Sequence, residues 1–192
     1  MLMHKLFSTI LVVLSIMFSS SGQAIEFGDR QFPDTVTLPG TDAALQLNGI
    51  GYRKKFIIKV YIGALYVENR ANSRDEVIAQ SGPNRVLMHF VYDEVSGEKL
   101  VDAWNDGFES NMTSEQLKAL QERINMFNAM FTTVNENDVI MLDYVPGTGT
   151  RVTIKGDDKG VIPGEDFNKA LLDIWLGDEP ADSGLKDAML GN

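Results

Sequence analysis

Four cations are concentrated in one short stretch of the chain, NGIGYRKKFIIKVY at residues 48–61. Arg53, Lys54, Lys55 and Lys59 lie in a protein with 17 Lys and Arg, 27 Asp and Glu, and a net charge of −10 at pH 7. A strand is a costly place for like charges, so this cluster needs a physical cause. One interpretation is a solvated strand edge that is paired with acidic residues elsewhere in the chain.

The other interpretation is an anion site. Alternate residues of a strand share a face, so a continuous strand over 53–65 would put Arg53, Lys59 and Tyr61 on one side. A guanidinium with a phenol nearby suits a carboxylate, because the two groups donate bidentate and hydroxyl hydrogen bonds. A turn near Lys54 and Lys55 would break this register.

Other kinds of site are limited by composition. The chain has no cysteine, and His89 is the only histidine after residue 24, which excludes thiolate nucleophiles and poly-histidine zinc sites there. No nucleotide, phosphate-loop or calcium motif is complete. His89 lies in VLMHFVY, a predicted strand, and is interpreted as a hydrogen-bonded structural residue. The sequence therefore predicts no catalytic residue, no cofactor and no metal.

The first 24 residues have the layout of a secretory signal peptide. Lys5 precedes an apolar run from Leu6 to Phe18, and small polar residues lead to Ala24. The run is short for a membrane span, although an uncleaved anchor is the alternative. We expect cleavage after Ala24, no stable membrane span afterwards, and a single periplasmic domain at 25–192. Its acidic surface would repel nucleic acid and anionic headgroups.

The remaining pattern predicts an α+β fold. Strands are expected near 44–55, 56–68 and 85–93, and a β-meander over 138–162. Ser96 and the capping box Thr113-Ser-Glu-Gln116 each begin a helix. The apolar stripes of the two helices are Leu100, Val101, Trp104, Phe108 and Met112, then Leu117, Leu120, Ile124, Phe127 and Phe131. Strands around a central helical block favour a large antiparallel sheet with helices on one face.

Three segments resemble the chalcone isomerase superfamily. GIGYRKKFIIKVYIGALYVE is similar to its first core strands, SGEKLVDAW to the start of its middle helix, and ALLDIWLGDEPADSGLKDAMLG to its closing segment. The resemblance covers roughly residues 36–191. It implies an open-faced β-sandwich with a cleft between sheet and helices, in which Arg53 takes the place of the cleft arginine that polarises the substrate of plant enzymes.

The chain also departs from the plant enzymes. Tyr61 stands where they have a threonine, Val95 or Ser96 where they have a tyrosine, and about Ala103 where they have an asparagine. An arginine followed by the tyrosine of V-Y instead resembles the noncatalytic fatty-acid-binding branch, in which this pair holds a carboxylate.

The leading hypothesis is a periplasmic, noncatalytic protein that binds a fatty acid or similar amphipathic carboxylate. Arg53 and Tyr61 would hold the head group, and Lys59 and Lys99 are further cations of the predicted site. The tail would lie among Trp104, Phe108, Phe127 and Met126. The alternatives are an isomerase or intramolecular lyase on a non-flavonoid substrate, with Arg53 as electrophile and Tyr61 as proton donor, and a ligand-free envelope scaffold. The sequence leaves the oligomeric state open.

Overall fold

A computed structural model describes residues 24–192, so the predicted signal peptide lies outside the described residues except for Ala24. The strands are β1 (Ala24–Phe27), β2 (Arg30–Pro33), β3 (Thr35–Thr37), β4 (Ala44–Lys55), β5 (Ile58–Val67), β6 (Asn84–Phe90), β7 (Glu94–Val95), β8 (Val134–Asn135), β9 (Val139–Val145), β10 (Gly149–Ile154) and β11 (Asp157–Ile162). The helices are α1 (Arg74–Ala79), α2 (Gly97–Asn111), α3 (Ser114–Asn128), α4 (Glu165–Leu176) and α5 (Ser183–Met189).

Seven strands form one antiparallel sheet in the order β11-β10-β9-β6-β5-β4-β3. Its main face packs under the helices in a large apolar cluster that includes Leu65, Phe90 and Trp175. Its other face carries a smaller cluster around Phe32 and Tyr66, which the β1–β2 hairpin covers. The predicted α+β fold, a large antiparallel sheet with a layer of helices, is confirmed.

The helices begin where the sequence places their caps. Ser96 accepts a hydrogen bond from the Lys99 backbone, and Thr113 with Gln116 forms a complete capping box. The two 15-residue helices α2 and α3 each bury their apolar stripe. Within residues 24–192, no helix combines the length and the apolar character that crossing a membrane requires.

The basic stretch forms a hairpin rather than one strand. β4 ends at Lys55, the chain turns at Phe56 and Ile57, and β5 begins at Ile58. These bounds agree with the strands expected near 44–55 and 56–68, so the register of a continuous strand over 53–65 does not apply. The turn lies just after Lys54 and Lys55, at two bulky apolar residues that are typical of strands and not of tight turns.

Helix α5 lies close against β4 because glycines remove the side chains between them. A Cβ on Gly49 would stand 2.0 Å from the carbonyl oxygen of Ala188, and one on Gly51 would stand 2.6 Å from the Ala188 Cβ. Asn48, which bulges out of the β4–β5 pairing, fixes the same junction by donating to Met189 and Ala71 carbonyls at 2.7 and 2.8 Å. The G-x-G of this strand is thus a packing feature.

Gly49→Ala should therefore destabilise the fold. The new methyl group must push backbone rather than a flexible side chain, so we expect a loss of about 2 kcal/mol or more in the free energy of unfolding. Urea unfolding followed by circular dichroism measures this loss. Gly184→Ala in α5 is the matched control, because its Cβ meets only Asp182 Oδ1 at 3.3 Å and alanine favours helix. Equal stability of Gly49→Ala and wild type would contradict the close-packing interpretation.

Candidate functional site

A cavity of about 880 Å³ opens between the sheet and helix α2. Its sheet side is Val60, Tyr61, Met88 and Phe90, and its helix side is Leu100, Ala103, Trp104, Gly107 and, from α4, Ile174. Polar and charged side chains stand around this apolar lining: Arg53, Lys55, Tyr92, Glu94, Lys99, Asp102, Asp106, Ser110 and Glu179. The size and the mixed lining are typical of small-molecule sites.

Arg53 and Tyr61 meet in this cavity because of a β-bulge. Arg53 pairs with Tyr61 across the hairpin, and the next pair is Lys54 with Lys59, so Val60 is left without a partner. Directly opposed residues share a face of the sheet, which places the guanidinium and the phenol on the same side. The two residues therefore stand opposite each other across two strands, and not along one, and both line the cavity.

Several N–H groups of the Arg53 guanidinium donate no hydrogen bond within residues 24–192. The guanidinium donates one hydrogen bond to the Lys54 carbonyl oxygen, and no carboxylate of residues 24–192 lies within ion-pair distance of it. A guanidinium has five N–H groups, so several remain for a ligand. The side chain is half-buried, which strengthens its attraction to an anion relative to a fully exposed charge.

Lys59 does not share this site, and its predicted position on the face of Arg53 is wrong. The bulge at Val60 reverses the alternation of β5, so Lys59 points to the opposite side. There its Nζ stands 3.9 Å from the centre of the Tyr52 ring, a cation–π contact. Lys59 consequently lies outside the cavity lining.

Tyr61 is held by a tryptophan from the helix layer. Trp175 Nε1 in α4 donates to the Tyr61 hydroxyl oxygen at 2.9 Å, in a contact that is fully buried. Burial is the largest cause that raises the pKa of Tyr61, to about 12, while the Trp175 hydrogen bond and Arg53 act in the opposite direction. The phenol is therefore protonated at neutral pH, accepts from Trp175, and keeps its own proton to donate.

The remaining predicted residues divide between the cavity and the core. Lys99 and Trp104 line the cavity, but Phe108 does not. Phe108 is 1% exposed and packs against the rings of Phe127 and Phe167, so its predicted ligand contact is not present. Phe127 is likewise a core residue, and Met126 is 45% exposed on the outer surface.

Trp104 carries an unused donor. Its side chain is 3% exposed, and its Nε1 has no hydrogen-bond acceptor among the described residues. A buried donor without a partner costs about 1–3 kcal/mol. An oxygen atom of a ligand or a water molecule that reached this group would relieve the cost.

Sequence reasoning missed Trp175 and the acidic part of the wall. Trp175 lies among the buried residues of α4, and nothing in the sequence marks it as the partner of a residue 114 positions away. Glu94, Asp102 and Asp106 look like ordinary helix or loop acids. Val95 and Ala103 also line the cavity, whereas Ser96 caps α2 and is not part of the lining.

His89 has the structural role that the sequence predicts. Its Nε2 accepts a hydrogen bond from Arg30 Nε at 3.1 Å on the sheet face opposite the cavity. Burial, together with the nearby Arg30 charge, lowers the pKa of His89, so the neutral form that accepts this bond is favoured.

The comparisons with known proteins agree with this architecture. A family model described as chalcone isomerase-like matches residues 24–191. A fatty-acid binding protein of Arabidopsis thaliana has a similar crystal structure, with a TM-score of 0.66 and 18% sequence identity over 88% of this chain and 96% of that chain. No curated protein sequence matches the chain.

Burial of Tyr61 predicts a dependence of stability on alkaline pH. An unfolded tyrosine ionises near pH 10, whereas folded Tyr61 stays protonated to about pH 12, so stability falls as pH rises between these values. Tyr61→Phe should make this fall less steep by about 1.4 kcal/mol per pH unit, the contribution of one proton. Urea unfolding between pH 8 and about 11.5 measures the slope.

Tyr66→Phe is the matched comparison, because burial also raises the pKa of Tyr66 to about 12. Between pH 7 and 9 neither substitution should change the slope. An alkaline slope identical in wild type and Tyr61→Phe would show that Tyr61 is accessible to solvent in the folded protein.

Proposed function

The chain belongs to the chalcone isomerase-like family, and we propose that it is a noncatalytic member that binds a fatty acid or a similar amphipathic carboxylate. The observation that carries this proposal is the placement of Arg53 opposite Tyr61 at the wall of an apolar cavity between sheet and helices. The Arabidopsis protein with the same fold is named a fatty-acid binding protein, which supports the same class of ligand.

The head group would bind between two strands. A carboxylate oxygen accepts from the free N–H groups of Arg53, and the second oxygen accepts from the Tyr61 hydroxyl. Trp175 donates to the hydroxyl oxygen, so the hydroxyl proton is not used in that contact and remains for donation to a ligand. Because the phenol is protonated at neutral pH, it does not repel the anion.

The tail would lie over the floor of the cavity. Val60, Met88, Phe90, Leu100 and Ile174 supply an apolar surface that extends from the head-group position under α2. Met88 adapts to irregular apolar shapes because its side chain is unbranched and polarisable. Burial of each methylene contributes about 0.8 kcal/mol, so affinity should rise with chain length until the cavity is filled.

The same geometry disfavours catalysis. A general acid works best with a pKa near the operating pH, and burial moves the pKa of Tyr61 away from it, to about 12. By the resemblance, Val95 or Ser96 and about Ala103 take the places of the tyrosine and the asparagine of the plant enzymes, and none of these residues supplies a phenol or an amide. An intramolecular lyase acting through Arg53 and Tyr61 is therefore the weaker candidate, and an open cavity is also unlike a scaffold whose cleft has been filled.

We further propose that the protein acts after export to the periplasm. The support is the sequence of residues 1–24, with Lys5, the apolar run and the small residues before Ile25. The chain also has no cysteine, so the fold does not depend on disulfide formation in that compartment.

Arg53→Ala should weaken binding of a medium- or long-chain fatty acid by roughly ten- to a hundredfold. Charge-assisted hydrogen bonds contribute about 1.5–3 kcal/mol, and about 1.4 kcal/mol corresponds to a factor of ten. Tyr61→Phe should cost less, because it removes one neutral donor. Calorimetry on the delipidated protein measures both affinities.

Lys59→Ala is the matched control for charge. It removes a cation from the same hairpin, but its side chain contacts Tyr52 on the opposite face, so fatty-acid affinity should be unchanged. A neutral alkyl ligand of equal length should bind Arg53→Ala and wild type alike. Equal fatty-acid affinity in wild type and Arg53→Ala would remove this residue from the site.

The purified protein should not cyclise chalcones above the uncatalysed rate. The reasons are that neither Val95 nor Ser96 has a phenol and Ala103 has no amide, and that burial raises the pKa of Tyr61 to about 12. Absorbance assays with chalcone, followed by chiral separation of any flavanone, test this. Stereoselective flavanone formation that Arg53→Ala abolishes would instead support the isomerase.

A further inference from the structure

The β4–β5 hairpin ends in a tip, residues 54–59, that exposes bulky apolar side chains. Phe56 is 92% and Ile57 is 94% exposed, and Ile58 is 48% exposed. Two adjacent residues of this type at the end of a hairpin leave apolar surface in contact with water. A contiguous exposed patch of apolar side chains is characteristic of an interaction site.

Local folding does not explain these residues. Phe56 has φ of 57°, in the left-handed region that glycine, asparagine and aspartate adopt far more readily. Neither side chain packs in the two apolar clusters. A turn of this shape would form more easily with a small polar pair, so the fold itself does not require these apolar side chains.

Cations surround the apolar pair. Lys54, Lys55 and Lys59 belong to the tip and Arg53 adjoins it, and within residues 24–192 none of them forms an ion pair. The chain as a whole has a net charge of −10. Asp182 lies beside the cluster, with its carboxylate on the Lys54 backbone, but among the described residues no carboxylate pairs with the four cationic groups, and these stay available to an anionic partner.

The tip has a defined shape and adjoins the cavity. Lys54 N donates to Asp182 Oδ2 at 2.8 Å, and the pairs Lys54–Lys59 and Lys55–Ile58 continue the hairpin to its end. Lys55, Phe56 and Ile58 also line the cavity. The exposed patch and the cavity thus form one continuous surface.

We propose that the hairpin tip docks on a lipid bilayer that contains anionic phospholipids. Phe56 and Ile57 would enter the boundary between head groups and acyl chains, while the lysines contact phosphate groups at the surface. A membrane fits better than a folded protein partner, because two apolar side chains within a ring of flexible cations match the layered chemistry of an anionic bilayer.

The negative charge of the rest of the chain favours one orientation on the bilayer, in which the hairpin tip faces the lipid surface. This charge repels an anionic bilayer, but at physiological ionic strength such repulsion fades over about 8 Å. Approach by the tip brings four cations within that distance first. Binding should therefore be moderate, and it should weaken as salt is raised.

Docking does not require the cavity to hold a ligand, so it stands apart from the proposed function. If the cavity binds a ligand and the tip docks on the bilayer, the cavity opens beside the bilayer. An amphipathic carboxylate could then enter the cavity from the bilayer. Calorimetry with dissolved fatty acid tests the cavity, and vesicle binding without fatty acid tests the tip, so failure of one is distinct from failure of the other.

The experiment uses the chain from Ile25 that the predicted cleavage leaves, which contains the described residues of both apolar clusters. Co-sedimentation compares vesicles of phosphatidylcholine with vesicles that also contain phosphatidylglycerol. We expect binding to the anionic vesicles and about tenfold weaker binding to the neutral ones. Phe56→Asn with Ile57→Ser, and Lys54→Glu with Lys55→Glu, should each weaken it about tenfold or more.

Met126→Ser with Lys118→Glu is the matched control. It removes an exposed apolar residue and reverses an exposed charge on α3, away from the hairpin, and vesicle binding should be unchanged. Urea unfolding of each variant should match wild type, because these side chains lie outside the core.

Phe56→Trp gives a direct readout of insertion. The two native tryptophans are 3% and 1% exposed, so a third at the tip reports its own surroundings. Its emission should shift to the blue on anionic vesicles and be quenched by brominated acyl chains. Absence of binding, or equal loss in the α3 control, would overturn the proposal. So would self-association without vesicles that Ile57→Ser abolishes, because the tip would then be an interface between copies.

Discussion

The register of the β4–β5 hairpin is the constraint on which the site depends. One unpaired residue, Val60, changes which residues of β5 face the helices. Before the bulge Lys59 points to the Tyr52 side, and after it Tyr61 points into the cavity opposite Arg53. Without the bulge, Lys59 and Tyr61 would lie on the same face of the strand. The cation on the face of the phenol would then be Lys59 and not Arg53. The bulge at Val60 thus places Arg53 at the cavity and Lys59 on the opposite face of the sheet.

The helix layer is fixed to this hairpin by a few specific contacts. Trp175 donates to Tyr61 from α4, and Asp182 accepts from Lys54 N with one oxygen while capping α5 through Leu185 N with the other. Gly49 lets α5 approach the sheet where a side chain would obstruct it. Trp104 then packs its ring on Trp175 at 5.7 Å, so α2 stands on α4 and not directly on the strands. The space that this arrangement leaves between α2 and the sheet is the cavity.

Local sequence determines much of this fold but little of the site. Caps such as Ser96 and Thr113, and the alternation of the strands, act within a few residues, and the elements they predict are present. The turn between β4 and β5 was expected near Lys54 and Lys55 but lies at Phe56 and Ile57, which are strand formers, and the β1–β2 hairpin was missed because its strands are only four residues long.

Trp104 and Phe108 show most clearly why local sequence does not predict which residues line the cavity. They are one turn apart on the same apolar stripe of α2, and nothing local distinguishes them. Both rings are buried and pack on Phe127, but Phe108 also meets Phe167 and lies inside the core, whereas Trp104 also borders the cavity. Which of the two faces the cavity depends on where α3 and α4 lie, and this information is spread over residues far apart in the chain.

The charges around the cavity give a carboxylate one favourable position. Asp102 and Asp106 lie one turn apart on α2 and repel an anion from the helix side. Lys99 is the i,i+3 neighbour of Asp102, so its attraction is partly offset within the same helix. Arg53 has no such acidic neighbour within ion-pair distance among the described residues. Attraction at the sheet and repulsion at the helix therefore act in the same direction, and an amphipathic anion in this cavity is oriented by both walls.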